Sequence, residues 1–129
     1  MKEKFNSLND IQACQDWWEE RIVAEEDRTP KSRFERMFEE VRELEEAIDQ
    51  LDGSFQKNYE AGLELADVFI VGFSVAQSLG FDIERLIFEK LGVNHNKYNV
   101  ERAKQLREQG LSWQETIVKM KEDYNLKRQ

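Results

Sequence analysis

Two acids stand by themselves in the most apolar stretch of the chain. Between Ala61 and Phe81 the only ionisable residues are Glu64 and Asp67. Three residues apart on a helix, their carboxylates project toward the same place. A carboxylate in low-dielectric surroundings is costly unless it is paired with a cation or bound to a metal. The two therefore read either as a carboxylate claw for a cation or as partners of a buried Arg or Lys.

A second acidic pair with the same spacing precedes them. The stretch FEEVREL places Glu39, Glu40 and Glu43 in an E-E-x-x-E pattern. Taken alone, such a run is ordinary on a solvated helical face with i,i+4 partners. On a helical wheel, however, the apolar stripe of this segment centres near Val41 and Ile48. Glu40 falls at its edge beside Ala47, and Glu43 one step further out. Two antiparallel helices packed along that edge would bring Glu40 and Glu43 opposite Glu64 and Asp67.

Four carboxylates without a soft donor suit a hard cation, and Mg²⁺ or Mn²⁺ fits better than Zn²⁺. Cys14 is the only cysteine and His95 the only histidine, which excludes an intrachain disulfide framework and argues against a Cys/His zinc site. Four negative charges against the two of one divalent ion leave a net −2. A polyphosphate could approach such a centre only with further cations or nearby Lys and Arg.

The elements that must position these acids are helices. Only 6 Gly and 1 Pro occur in 129 residues, so few long helices fit better than many short strands. The first runs from about Leu8 to Glu26, with Leu8, Ile11, Trp18 and Ile22 on one face. Thr29-Pro30 then starts a second, to about Leu51, because Thr caps well and Pro at the first helical position loses no partner. Its stripe is Phe34, Met37, Phe38, Val41, Leu44, Ile48 and Leu51. Asp52-Gly53-Ser54 ends it.

The third helix, about Tyr59 to Leu79, is apolar nearly all round and is expected at the centre of a bundle or dimer. Gly80 suits its C-terminus and Asp82 caps a fourth helix that packs Ile83, Leu86, Ile87 and Phe88, with Gly92 marking a break or bend. Glu101 to Tyr124 reads as a helical hairpin with Gly110 in its turn. Ser112 to Glu115 matches a capping box, and Trp113, Ile117, Met120 and Tyr124 share a face beyond it. The expected fold is all-α, a bundle of four to five helices forming one domain over residues 1–129.

A net charge of −8 speaks against a protein that holds nucleic acid through its general field, and it makes a DNA-reading role for the hairpin the weaker reading. The N-terminal stretch lacks the apolar core and small-residue cleavage site of a signal peptide. The longest uncharged run, Val68 to Phe81, is shorter than a bilayer-spanning helix needs. These features predict a soluble, cytoplasmic protein with no membrane partner.

Glu39-Glu40-x-x-Glu43, twenty residues, then Glu64-x-x-Asp67 resembles the E-E-x-x-E…E-x-x-D signature of the MazG-like all-α pyrophosphohydrolase superfamily. FEEVRELEEAI and LELADVFIVGF are similar to that family beyond the acids, and the likeness covers roughly Leu8 to Lys97. Residues 98–129 then form an extension. The resemblance implies a helical bundle completed by dimerisation, as a dimer or a dimer of dimers. It implies Mg²⁺ held by Glu40, Glu43, Glu64 and Asp67, with Glu39 in a supporting role; Glu39 is the candidate general base if it faces the metal-bound water. The reaction implied is attack of a metal-activated water on a nucleoside triphosphate, releasing the monophosphate and pyrophosphate in a house-cleaning or pool-control role.

The family's K…N…R element after the fourth helix is matched by Lys90, Asn94 and Lys97, which share a helical face if the helix continues through Gly92. Lys97 departs from the pattern, exchanging a bidentate donor for a point charge, and Arg102 is the candidate substitute. Trp17 is the candidate for stacking on the base, with an interface or core tryptophan as the more ordinary reading of the same residue. From another class, the chain reads as a non-catalytic helical dimer serving as an interaction or DNA-associated module.

Overall fold

The computed structural model describes residues 5–128. They form α1 (Leu8–Ile22), a 3₁₀ turn (Glu25–Asp27), α2 (Pro30–Asp49), α3 (Phe55–Leu79), α4 (Ile83–Lys97), α5 (Val100–Glu108) and α6 (Trp113–Lys127), with no strand among the described residues. The first four residues of the stretch considered for a signal peptide lie outside the described range.

The helix ends follow from local chemistry. Thr29 accepts a hydrogen bond from the Ser32 backbone and Pro30 opens α2. Ser54 does not merely end the loop after α2; it caps α3 by accepting from the Lys57 backbone, so α3 begins a turn before Tyr59. Gly80, at φ 75°, closes α3 in a left-handed conformation that suits glycine. The first helix stops at Ile22, short of Glu26, and the residues after it form the 3₁₀ turn. Gly92 causes no break: α4 is continuous from Ile83 to Lys97, and among the described residues four helices are followed by the two of the expected C-terminal hairpin.

The chain forms two compact units, residues 5–84 and 85–128, divided within α4. In the first, α3 packs along α2 and also against α1. Its buried apolar residues are Ala61, Val71, Phe73 and Ala76, all on α3. In the second, α5 packs on α6 across the Gly110 turn, at φ 91°, burying Leu106, Thr116 and Met120. Both halves of the capping box form: the Glu115 backbone donates to Ser112 Oγ, and the Ser112 backbone donates to Glu115 Oε1.

Several residues expected inside lie outside in the single chain. Trp18 is exposed, as are Phe34, Phe38, Val41, Ile48 and Leu51 of the α2 stripe, Ile87 and Phe88 of α4, and Trp113 of α6. Of the expected α2 stripe, only Met37 and Leu44 are half-buried. Helix α3 likewise leaves Leu63, Leu65, Phe69 and Ile70 exposed. It is 25 residues long, and its most apolar window has mean hydropathy 1.4, so by length and composition it is long and apolar enough to cross a membrane. The short uncharged run had suggested otherwise. Packing of α3 along α2 and α1 gives those residues another environment.

Candidate metal centre

Helices α2 and α3 are antiparallel, and their register is set by a buried polar knot. Arg33 Nη1 donates to the Ser74 backbone oxygen at 2.9 Å, and Arg33 Nη2 lies 2.7 Å from Glu19 Oε2. Glu19, Arg33 and Ser74 are each at most 4% exposed. The Ser74 hydroxyl donates to Glu19, and Gln15 Nε2 donates both to Glu19 Oε1 at 3.0 Å and to Ser74 Oγ at 3.2 Å. Buried opposite charges are tolerable when paired and hydrogen-bonded in this way. The knot ties α1, α2 and α3 together at one level.

Two helical turns along α2 from Arg33 lies Glu40, and two turns back along α3 from Ser74 lies Asp67. One further turn on each helix reaches Glu43 and Glu64. The same register that joins Arg33 to Ser74 therefore aligns the four acids, and Glu40, Glu43 and Glu64 each present a carboxylate oxygen within 4.8 Å of the others. Asp67 is exposed and stands outside this closest group, although its charge acts on both Glu40 and Glu64.

Both of those glutamates have raised pKa values. For Glu40 partial burial acts first, then a contact with Glu43 that is favourable when a proton lies between them, then the charges of Glu43 and Asp67; Arg36 opposes. For Glu64 burial again leads, followed by the charges of Glu43 and Asp67. Acids gathered this closely resist simultaneous ionisation.

The donor set fits a hard divalent cation. Glu40 Oε2 and Glu64 Oε2 are buried without a hydrogen-bond partner. Such oxygens are usually satisfied in a folded protein, and a cation between them would satisfy both. All the donors are carboxylate oxygens, which suits Mg²⁺ and Mn²⁺.

The other sequence candidates are placed as follows. Glu39 is exposed on α2 and is not in the converging group. Trp17 is exposed and its ring is covered by the Arg21 guanidinium, 4.1 Å from the centroid. Lys90, Asn94 and Lys97 belong to the second unit, on a helix that continues past Gly92. Lys97 and Arg102 line one cavity of about 490 Å³ with Asp123, Tyr124 and Lys127. Lys97 Nζ lies 5.5 Å from the Tyr124 ring centroid, and Arg102 Nε lies 3.6 Å from Asp123 Oδ2.

Sequence reasoning missed the Glu19–Arg33–Ser74 knot. Its one visible trace is Ser74 within the apolar run; nothing local links it to a glutamate on α1 and an arginine on α2.

Among the described residues the fold is all-helical, and its antiparallel α2–α3 pair brings together Glu40 and Glu43 of the E-E-x-x-E motif and Glu64 of E-x-x-D, which defines the class. A model of the MazG-like family matches residues 36–111, more than half of the chain, and the protein belongs to that family. No curated protein and no solved structure gives a significant match.

Proposed function

We propose that the protein is a Mg²⁺-dependent nucleoside triphosphate pyrophosphohydrolase. It cleaves a (d)NTP between the α- and β-phosphates to the monophosphate and pyrophosphate, in house-cleaning or nucleotide-pool control in the cytoplasm. The observation that carries this reading is the convergence of Glu40, Glu43 and Glu64, with two buried oxygens lacking partners, in a chain of the MazG-like family.

In this reading Glu40, Glu43 and Glu64 hold the ion and Asp67 completes the set; Mn²⁺ is the alternative occupant. A bound divalent cation neutralises charge developing on phosphoryl oxygens and lowers the pKa of a coordinated water. The raised pKa values of Glu40 and Glu64 support a cluster in which a cation would displace shared protons on binding. Glu39, exposed and one residue from Glu40, is assigned the proton of the attacking water. Lys90, Asn94 and Lys97 are assigned the phosphates and sugar, and Trp17 the base.

A homo-oligomer, as a dimer or dimer of dimers, is part of the proposal. Phe34 and Phe38 on α2 and Leu63 and Phe69 on α3 are all more than half exposed. Large apolar groups clustered on the helices that carry the acids favour a second copy as their cover.

The test is pyrophosphate release from a panel of NTPs and dNTPs with Mg²⁺, Mn²⁺ or EDTA, in wild type and Glu64→Ala. Metal-dependent release from some of them, lost in the variant, is expected. Release that survives EDTA or the substitution would refute the site.

A further inference from the structure

The acid cluster needs a cation from the protein if it is to admit a polyphosphate, and one is held beside it. Arg36 lies on α2 one helical turn before Glu40, on the side of the Glu40–Glu43 stripe that faces the buried knot. Its Nη1 is 3.6 Å from Glu19 Oε1, and its side chain is 48% exposed where that of Glu19 is 2% exposed. Glu19, the partner in that pair, is itself held by Arg33, Ser74 and Gln15.

Arg33 makes the close pair with Glu19, at 2.7 Å in the interior, and its charge also acts on Asp16 beside them. The Arg36 charge lies outside that close pair, half in solvent, and its field reaches Glu40. A guanidinium also has more donors than one glutamate oxygen can take.

We propose that Arg36 is a substrate-binding residue: anchored to Glu19 by one edge of its guanidinium, it offers the other edge to the phosphate oxygens of a triphosphate at the Glu40–Glu43–Glu64 cluster. The assignment rests on the pyrophosphohydrolase reading for its substrate class. A planar fork fits phosphate oxygens in two-bond geometry, and it supplies positive charge without occupying a carboxylate needed by the metal. The ion pair with Glu19 biases the guanidinium toward that side of the cluster before the substrate arrives.

A purely structural counter-ion behaves differently, and the difference can be measured. At saturating Mg²⁺, Arg36→Ala is expected to raise KM by about tenfold or more, the scale of one lost charge-assisted contact. Arg36→Lys should recover part of it, keeping the charge but not the fork. Mg²⁺ affinity of the substrate-free protein should hold or rise in Arg36→Ala, because a positive neighbour has been removed.

Inorganic triphosphate binding at saturating Mg²⁺ gives a readout separate from turnover. Weaker binding by Arg36→Ala than by wild type upholds the assignment even if no nucleotide is hydrolysed, in which case only the proposed reaction fails. Equal binding by the two proteins overturns it. So does an absence of triphosphate binding by wild type, or a loss in Arg36→Ala that is matched by a loss of helical content.

Discussion

Arg33 reaches from α2 to the backbone oxygen of Ser74 on α3, and this one bond fixes which acids meet further along the pair. Sliding either helix by one turn would leave Arg33 without that carbonyl and Glu43 without Glu64 as its neighbour. The acid cluster and the buried knot are two ends of one register.

Breaking the knot from one side should cost far more than removing it whole. Arg33→Met leaves Glu19 charged in the interior and is expected to destabilise the protein by about 3–5 kcal/mol. Glu19→Gln combined with Arg33→Met should recover most of that loss. Urea denaturation of the two single variants and the double variant measures the coupling.

The acid cluster should behave in the opposite sense. Glu64→Gln removes a repelling charge, so the metal-free variant is expected to melt above wild type, while metal-dependent turnover drops by about a hundredfold or more. Thermal melts in EDTA set beside pyrophosphate release check both halves. A variant that is less stable in EDTA would contradict the strain account.

The acids at the site were legible because helix geometry is local: the three-residue spacing in Glu40–Glu43 and Glu64–Asp67 places each pair on one face before any packing is known. Thr29-Pro30, Gly80 and the Ser112 capping box were legible for the same reason. The pairing of Glu19 with Arg33 was not, because it joins positions on different helices and depends on how those helices pack. Trp18 shows the converse limit. Its spacing put it on an apolar face, yet the buried position next to it belongs to Glu19. Asp67 shared the wheel position of a ligand but stays exposed, since the separation of α2 and α3 decides how near each carboxylate comes.

A pH dependence follows from the raised pKa values of Glu40 and Glu64. Their folded-state values lie above the ordinary 4.5, so their contribution is fully present below about that pH and is lost as pH rises through the raised values. Asp52, Glu60 and Glu115 are lowered and act with the opposite sign, which makes a comparison of variants preferable to a single curve. In EDTA, the stability gain of Glu40→Gln and Glu64→Gln over wild type should grow as pH rises above the ordinary value of 4.5 and through the raised values. Saturating Mg²⁺ should reverse the order at the upper end, because protons and the cation compete for the same oxygens.

The exposed apolar residues give a prediction about assembly. Phe69, 65% exposed on α3, is expected to lie at the contact between copies. Phe69→Asp should shift the sedimentation mass from oligomer toward monomer while retaining helical content. A wild-type mass equal to one chain of 15.4 kDa would remove the oligomer from the proposal.

Helices α2 and α3 thus carry a permanent fastening at one level and a conditional one at another. The Arg33–Ser74 level closes on its own, through a buried ion pair and its hydrogen bonds. The Glu40–Glu64 level gathers like charge, which protons or a cation would relieve. In the proposed reading the pair would act as a clip sprung at one end, with a divalent ion as its second fastening.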